Sequence, residues 1–454
     1  MSVDTICALA TAPGGALGII RISGAQALEI LSRIFSKDLS NAQPNTIHYG
    51  HIVEHDAVSQ HHNIIDEALV SVFRAPHSYT GEDSIEISCH GSRYILNKVL
   101  ELLIQQGCRM AEPGEFTKRA YLNGKMDLSQ AEAVADLIAS SNQATHKIAM
   151  SQLRGHFSSQ LAQLREQLLK LTSLLELELD FSDHEDLEFA DRSELKEITK
   201  TINNHITHLA HSFETGKAIK QGIPVAIIGK TNVGKSTLLN RLLHEDRAIV
   251  SDIHGTTRDT IEDTMELQGI TFRFIDTAGI RQTTDEVEQI GIERTYQAIQ
   301  KARIVLWLID KEPSIEEIDK IKQRTENKKL IIVQNKIDKF DNNSYNLSNQ
   351  PTIPISAKFG TGIDTLEQSI YQAADIPTLN DTDVIVTNAR HYDALVRAQQ
   401  SIQRVIDGLE QQLSGDLLSE DLRLALDQLS EITGGQITPN EVLGNIFKNF
   451  CVGK

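Results

Sequence analysis

The run Gly229-Lys230-Thr231-Asn232-Val233-Gly234-Lys235-Ser236-Thr237 follows the apolar stretch Pro224-Val225-Ala226-Ile227-Ile228. That is the pattern of a buried strand feeding a glycine-rich turn and then a helix. Backbone N–H groups of such a turn close around phosphate oxygens, Lys235 reaches the outer phosphates, and the Ser236 hydroxyl can hold Mg²⁺. Downstream, in order, come Thr256-Thr257, Asp276-Thr277-Ala278-Gly279, Asn335-Lys336-Ile337-Asp338 and Ser356-Ala357-Lys358, which completes the set of elements a GTPase needs. Asp276 ends an apolar strand where a carboxylate is needed on the Mg²⁺ side, and Gly279 leaves its N–H open to the γ-phosphate. Asp338 selects the base. A carboxylate accepts from both the ring N–H and the amino group of guanine, a pair that adenine does not present, so the expected nucleotide is GTP.

Many GTPases place after the Asp-x-x-Gly element a glutamine that orients the attacking water; here the residue is Ile280. An isoleucine cannot hydrogen-bond water. The group that replaces it must come from elsewhere, and the segment Arg281 to Arg294 offers Arg281, Asp285, Glu286, Glu288 and Glu293. Either one of these carboxylates stands in, or all of them solvate an exposed segment. Asn232 has two readings as well: a ligand for a monovalent cation lying where an arginine finger would, or plain turn chemistry.

The elements that must position these groups alternate: Val225–Gly229, Lys235–Leu243, Ile270–Asp276, Gly291–Lys301, Ile304–Asp310, Glu316–Thr325, Leu330–Asn335, Ile353–Ser356 and Ile363–Ala374. That alternation predicts a doubly wound sheet with the nucleotide at the carboxyl ends of its strands. Gly216 and Gly222 mark its entrance, and Pro377 its close. Before it, Leu153, Phe157, Leu161, Leu164, Leu168, Leu171 and Leu175 paint one face of a long helix, and Leu195, Ile198, Ile202, Ile206 and Leu209 another. After it, the helical period returns through Leu395, Ile402, Val405, Leu409 and Leu413, and again between Leu417 and Ile432. A GTPase domain inserted into a helical bundle follows, with helices distant in sequence packed together in space. The acidic stretch Asp180 to Asp191 reads either as a metal cluster or as a solvated interhelix loop.

The first 120 or so residues carry short strands, such as Ile19–Ser23 and Glu67–Phe73, between glycine-rich turns, which predicts a separate α/β domain. Strand-end Arg21, Glu86 and Lys125 could together grip a ligand bearing donors and carboxylates, or each form a surface ion pair. The whole chain of 454 residues is expected to hold about three domains. No apolar run approaches the ~20 residues of a membrane span, and the N-terminus lacks the basic and apolar regions of a signal peptide, so a cytoplasmic location is expected. Cys7, Cys89, Cys108 and Cys451 form no metal or CxxC spacing and read as free thiols. A formal net charge of −18 opposes unspecific binding to nucleic acid, so RNA contact needs a local basic patch or a partner's surface.

Over essentially its full length the chain resembles the MnmE (TrmE) family of bacterial tRNA modification GTPases. The resemblance rests on Gly18-Ile19-Ile20-Arg21-Ile22-Ser23-Gly24, Thr80-Gly81-Glu82-Asp83, Pro113-Gly114-Glu115-Phe116 and the terminal Phe450-Cys451-Val452-Gly453-Lys454. It implies an N-terminal tetrahydrofolate-binding and dimerisation domain (1–122), a helical domain in two parts (123–218 and 379–454), and a Ras-like P-loop GTPase domain (219–378) inserted between them. The implied activity is potassium-dependent GTP hydrolysis. With the FAD-containing partner MnmG, in a heterotetramer or larger complex, the family installs an aminomethyl or carboxymethylaminomethyl group on carbon 5 of the wobble uridine of certain tRNAs. Tetrahydrofolate, as the 5,10-methylene or 5-formyl derivative, supplies the one-carbon unit.

Carried over by motif, the folate contacts are Arg21, Glu86, Lys125 and Lys454, with Glu82 close to Glu86 in sequence. Potassium is implied to lie between two GTPase domains on Asn232 and the loop Ser251-Asp252-Ile253-His254-Gly255-Thr256, with Ser251, Ile253 and Thr256 as ligands. Ser236 and Thr257 match the Mg²⁺ ligands, and Glu288 matches the water-orienting carboxylate. Cys451, three residues from Lys454, reads either as a catalytic thiolate or as a small buried apolar residue. Two departures touch the folate-domain loops: the turn Pro13–Gly18 and Ser92 after His90-Gly91. A GTP-switched ribosome-assembly factor is the competing reading, but the chain has no basic, aromatic-rich segment suited to RNA stacking.

Overall fold

The computed structural model describes residues 4–55, 62–180, 192–244, 263–275, 296–339, 351–377, 380, 382–435, 443, 446–448, 450, 451 and 453. They fall into two compact units. One comprises Met1–Ile138, Gln152–Asp191 and Gly408–Lys454, and the other Ala139–Ser151 and Arg192–Asp407.

In the first unit, β1 (Ile6–Leu9), β2 (Leu17–Ser23), β3 (Thr46–His55), β4 (His62–Phe73), β5 (Ser84–His90) and β6 (Arg109–Met110) form a six-stranded sheet in the order β3-β4-β5-β2-β1-β6. Side chains of a strand alternate between faces. Ile20, Ile22, Val70, Val72, Ile85 and Ile87 therefore all point one way, and they close a core against α1 (Ala27–Ser32) and α2 (Arg93–Gln105) through Leu31, Leu96, Val99 and Leu103. The intervening residues line the other face. Arg21 thus lies inside β2 rather than at a strand end, directly opposite Glu86 of β5. Ile47, Tyr49 and Leu69 share that outward face of β3 and β4, and all three are exposed.

Beyond the sheet, α3 (Glu115–Leu122) starts at Gly114, whose φ of 66° suits a residue without Cβ. It buries Arg119, only 4% exposed, in a set of charges. The guanidinium donates to Glu82, to Glu115 and to both the carboxylate and carbonyl of Asp4, at 2.9 to 3.2 Å. Burial opposes charge on both partners, yet Glu115 and Glu82 hold Arg119 above its ordinary range. Burial likewise pushes Glu115 up, but Arg109, the Glu112 N–H and Arg119 outweigh it and keep it below the usual carboxylate value. Arg119→Ala should cost about 3–5 kcal/mol in a urea melt, because it leaves carboxylates buried without their cation. Since the folded carboxyl is depressed, its contribution is present above the unfolded carboxylate pKa and is lost as pH falls through the folded value. A wild-type-like acid melt for the variant would remove this cluster as a source of stability.

Four helices follow: α4 (Leu128–Ala139), α5 (Gln143–Leu153), α6 (His156–Asp180) and α7 (Arg192–Gln221). The continuous stripe from Leu153 to Leu175 is in fact broken, because Gly155 takes φ +82° and ends α5, so Leu153 belongs to a different helix from Phe157. Gly216 does not mark a domain entrance. It sits inside α7, where a Cβ would meet the Val386 carbonyl oxygen at 2.2 Å, so its role is close packing; Gly222, at φ +81°, is the residue that ends the helix.

The second unit holds β7 (Ile223–Gly229), α8 (Lys235–His244), β8 (Asp263–Leu267), β9 (Ile270–Phe274), β10 (Ile304–Ile309), α9 (Ile315–Arg324), β11 (Lys329–Gln334), β12 (Thr352–Pro354) and α10 (Ile363–Ala373). Its sheet runs β12-β11-β10-β7-β9-β8, parallel except for β8. Fully buried β10 reads Ile-Val-Leu-Trp-Leu-Ile, as a strand covered on both faces must. The hairpin of β8 and β9 was not legible beforehand, nor was the docking of α5 on it. The Ala144 N–H donates to the Gly269 carbonyl at 3.0 Å, and Asn142 Nδ2 to Thr271 Oγ1 at 2.7 Å.

Two long helices close the chain, α11 (Ala389–Glu410) and α12 (Gly415–Thr433). In the first unit α6 packs against α12, burying Leu164, Leu168 and Leu171 on one helix and Leu422 and Leu429 on the other. In the second, Gln399 Nε2 of α11 donates to Thr207 Oγ1 of α7 at 2.7 Å, and Phe213 stacks on Tyr392 with centroids 4.4 Å apart. Each pair joins a helix before the GTPase segment to one after it, as an insertion requires. Among the described residues no helix is long and apolar enough to cross a membrane.

Candidate functional site

In the second unit, the turn after β7 is made by Gly229 at φ +150°, Asn232 at φ +61° and Gly234 at φ +104°. A Cβ on Gly229 would meet the Leu308 carbonyl oxygen at 2.5 Å, and one on Gly234 would meet Asn335 Nδ2 at 2.3 Å, so both positions need glycine. Lys235 and Ser236 open α8, where N–H groups face outward at the positive end of the helix. Lys235 Nζ donates to the Gly229 and Lys230 carbonyls, each at 2.8 Å. Burial lowers the pKa of its ammonium. Val233 is buried and anchors the turn in the core.

The residues expected to select the base follow β11 and β12, two and three strands away from β7 in the same sheet. Asn335, 3% exposed, donates from Nδ2 to the Val233 carbonyl at 2.8 Å and accepts at Oδ1 from the Ala357 N–H at 3.0 Å. One side chain therefore ties the phosphate turn to the third loop. Lys336, at φ +67°, donates to the Asn232 carbonyl and to Asp310, both at 2.7 Å. The Ser356 hydroxyl donates to Asp338 at 2.6 Å and holds that carboxyl below its usual range, so it is ionised and ready to accept. Asp310 was missed; like Asp276 it follows an apolar strand, which was the available signal. Thr237 is exposed in the first turn of α8.

In the first unit, Arg21 is bidentate on Glu86 Oε1 through Nε at 3.0 Å and Nη2 at 2.7 Å, and its Nη1 donates to the Gly453 carbonyl at 3.2 Å. The guanidinium carbon lies 5.7 Å from the ring centres of both Tyr79 and Phe116. Desolvation raises the pKa of Tyr79, whose hydroxyl hydrogen-bonds Thr117. Glu82 is already committed to Arg119 and to the Ser23 hydroxyl, which leaves Glu86 as the partner of Arg21. Exposed Lys125 is not joined to this pair; its Nζ donates to the Pro76 carbonyl at 2.9 Å.

The C-terminal tail reaches the same place. The Gly114 N–H donates to the Cys451 carbonyl at 3.3 Å, and Gly453, at φ +92°, passes so close to β1 that a Cβ would lie 2.3 Å from the Leu9 carbonyl oxygen. Cys451 is exposed, unlike Cys7, Cys89 and Cys108, and so is not a buried apolar filler. Burial lifts the Cys89 thiol to about 11, where it stays protonated and inert.

Ser251, Asp252, Ile253, His254, Gly255, Thr256, Thr257, Asp276, Thr277, Ala278, Gly279, Ile280, Glu288 and Lys454 lie outside the described residues.

A glycine-rich turn on a helix N-terminus, tied by one buried asparagine to the loop after β12, whose Ser356 in turn holds an ionised aspartate, has the geometry of a P-loop GTPase. The family description "MnmE helical domain" matches residues 128–451, and "GTP-binding protein TrmE N-terminus" matches 5–125. A tRNA modification GTPase MnmE of Bacteroides fragilis is 56% identical over 473 residues, spanning 100% of each chain. Proteins of the same name from Flavobacterium johnsoniae and Porphyromonas gingivalis are 51% and 50% identical, each over 99% of this chain and over 99% and 98% of their own length. The chain belongs to the MnmE (TrmE) family.

Proposed function

We propose that this GTPase modifies carbon 5 of the wobble uridine of certain tRNAs together with MnmG, spending GTP to drive the cycle and drawing the one-carbon unit from tetrahydrofolate. The observation that carries the reading is the Arg21–Glu86 pair with the Gly453 carbonyl on the same guanidinium. A reduced pterin with an acidic tail needs carboxylate acceptors, a cation and flat walls. Glu86, Arg21 and the exposed ring of Tyr79 supply these, with Lys125 and Lys454 as further cations. Exposed Cys451 is the nucleophile or acid/base of that site. The departures at Pro13–Gly18 and Ser92 alter how these loops meet the ligand.

In the GTPase unit, Ser236 and Thr257 would hold Mg²⁺, which neutralises phosphate charge. Asn232, Ser251, Ile253 and Thr256 would hold K⁺ between two GTPase domains, and Glu288 would orient the water. The exposed Ile47, Tyr49 and Leu69 on the N-terminal sheet are the surface suited to a second copy of the chain. The domain boundaries 1–122, 123–218, 219–378 and 379–454 belong to the same proposal, as does a cytoplasmic location with access to tRNA.

The test is GTP turnover by the purified chain in KCl and in NaCl at equal ionic strength. The expected result is a rate that rises steeply in potassium alone. Equal rates would show that Asn232 and the loop from Ser251 hold no ion, and would remove potassium from the proposal.

A further inference from the structure

Arg241 lies on the last turns of α8, away from the phosphate end of that helix. Its Nη2 donates to the Lys358 carbonyl at 2.7 Å and its Nε to the Ala357 carbonyl at 3.4 Å. The guanidinium carbon also stands 3.9 Å from where a Cβ on Gly360 would be, so the head group lies against the loop that follows β12.

The rest of that loop is tied from other directions. The Ala357 N–H goes to Asn335 and the Phe359 N–H to the Ser356 hydroxyl, while the Ser356 N–H and carbonyl pair with Thr361 and Gly360. These contacts fix residues 356, 357 and 359 to 361. The peptide between Ala357 and Lys358 has its carbonyl held by Arg241. A trans peptide is planar, with its C=O and N–H pointing in opposite directions. Holding the Ala357 carbonyl toward α8 therefore turns the Lys358 N–H to the opposite side of the loop.

A backbone N–H in a loop beside Asp338 discriminates at the one position Asp338 does not read. Guanine carries an acceptor oxygen at carbon 6, and adenine carries an amino group, which is a donor. An N–H aimed there favours the first and repels the second.

We propose that Arg241 is a positioning residue for guanine recognition: it locks the 357–358 peptide so that the loop presents its N–H to the 6-oxo group. It also sets the spacing between the phosphate helix and the base loop, since one side chain joins the two. Lysine is not equivalent here, because its ammonium is a single point donor on a flexible stem, whereas the planar guanidinium meets the two carbonyls with two separate nitrogens held in fixed geometry.

The inference rests on the GTP-binding reading of this site, and the experiment separates the two. Equilibrium affinities of the full chain would be measured for GDP, IDP, 2-aminopurine riboside diphosphate and ADP, in wild type, Arg241→Ala and Arg241→Lys. IDP keeps the 6-oxo group without the 2-amino group; the 2-aminopurine nucleotide has the reverse. Arg241→Ala is expected to weaken GDP and IDP by about tenfold each, as for loss of one oriented hydrogen bond. The 2-aminopurine nucleotide and ADP should bind as in wild type. Arg241→Lys should fall between. Turnover at saturating GTP should stay within about twofold, because the loss lies in ground-state binding shared by the transition state. An equal loss for all four nucleotides, or none for any, would overturn the role of Arg241. A wild-type chain that does not prefer GDP to ADP would instead overturn the GTP-binding reading itself. Should Arg241→Ala fold poorly, the GDP to 2-aminopurine nucleotide ratio in Arg241→Lys carries the decision.

Discussion

Asp338→Asn is expected to lower GTP affinity at least about 100-fold, as for two hydrogen bonds to an ionised acceptor. The carboxylate offers two acceptor oxygens to the ring N–H and the amino group of guanine. An amide replaces one of these oxygens with a donor, which then faces the guanine amino group, donor against donor. The environment sharpens the loss. The Ser356 hydroxyl donates to this carboxylate and keeps it ionised, and the same hydroxyl then has no charged acceptor in the variant. Because the defect is one of matched donors and acceptors, it should be reversible by the ligand. Xanthosine triphosphate carries an oxygen at carbon 2, which accepts from the new amide, so the variant should prefer it over GTP. Competition binding of the two nucleotides checks this, and a variant that still prefers GTP would exclude Asp338 as the base selector.

Removing residues 451–454 should abolish tRNA modification and leave GTP turnover intact. In the first unit the tail is strapped to the N-terminal sheet by three contacts: the Gly114 N–H on the Cys451 carbonyl, Arg21 on the Gly453 carbonyl, and the close pass of Gly453 over Leu9. Truncation takes away the Gly453 acceptor, the exposed Cys451 thiol and the Lys454 cation together. Arg21 keeps Glu86 and the sheet keeps its register, so the N-terminal core should survive. The nucleotide site lies in the other unit. Nucleoside mass spectrometry of tRNA, from a reconstituted reaction with MnmG and tetrahydrofolate, reads the first effect, and phosphate release the second. A fully modified tRNA pool would disprove the assignment of the tail to the folate site. Loss of both activities would point to a purely structural tail.

The nucleotide site was legible in the sequence because its chemistry is local. A glycine-rich turn, Asn335 with Asp338, and Ser356 with Ala357 each sit on a short segment whose backbone shape those residues dictate, and apolar runs such as Ile304–Ile309 announce the buried strands that carry them. The first-unit site was not readable in that way. Arg21, Glu86 and Gly453 are 65 and 432 positions apart, and each reads as an ordinary surface group until strand register sets Arg21 opposite Glu86 and the tail lies across β1. Which of Glu82 and Glu86 pairs with Arg21 was likewise decided by the fold, since Arg119 claims Glu82. Single residues misled where packing overrode local preference: Gly216 is a glycine because α7 runs against the Val386 carbonyl, and the apolar stripe through Leu153 spans two helices because Gly155 turns left-handed. Sequence by itself determined the motifs, the periods and the GTPase assignment, because these depend on neighbours along the chain. Only the tertiary structure decided which distant groups meet, because strand register and close packing are set by the whole core at once.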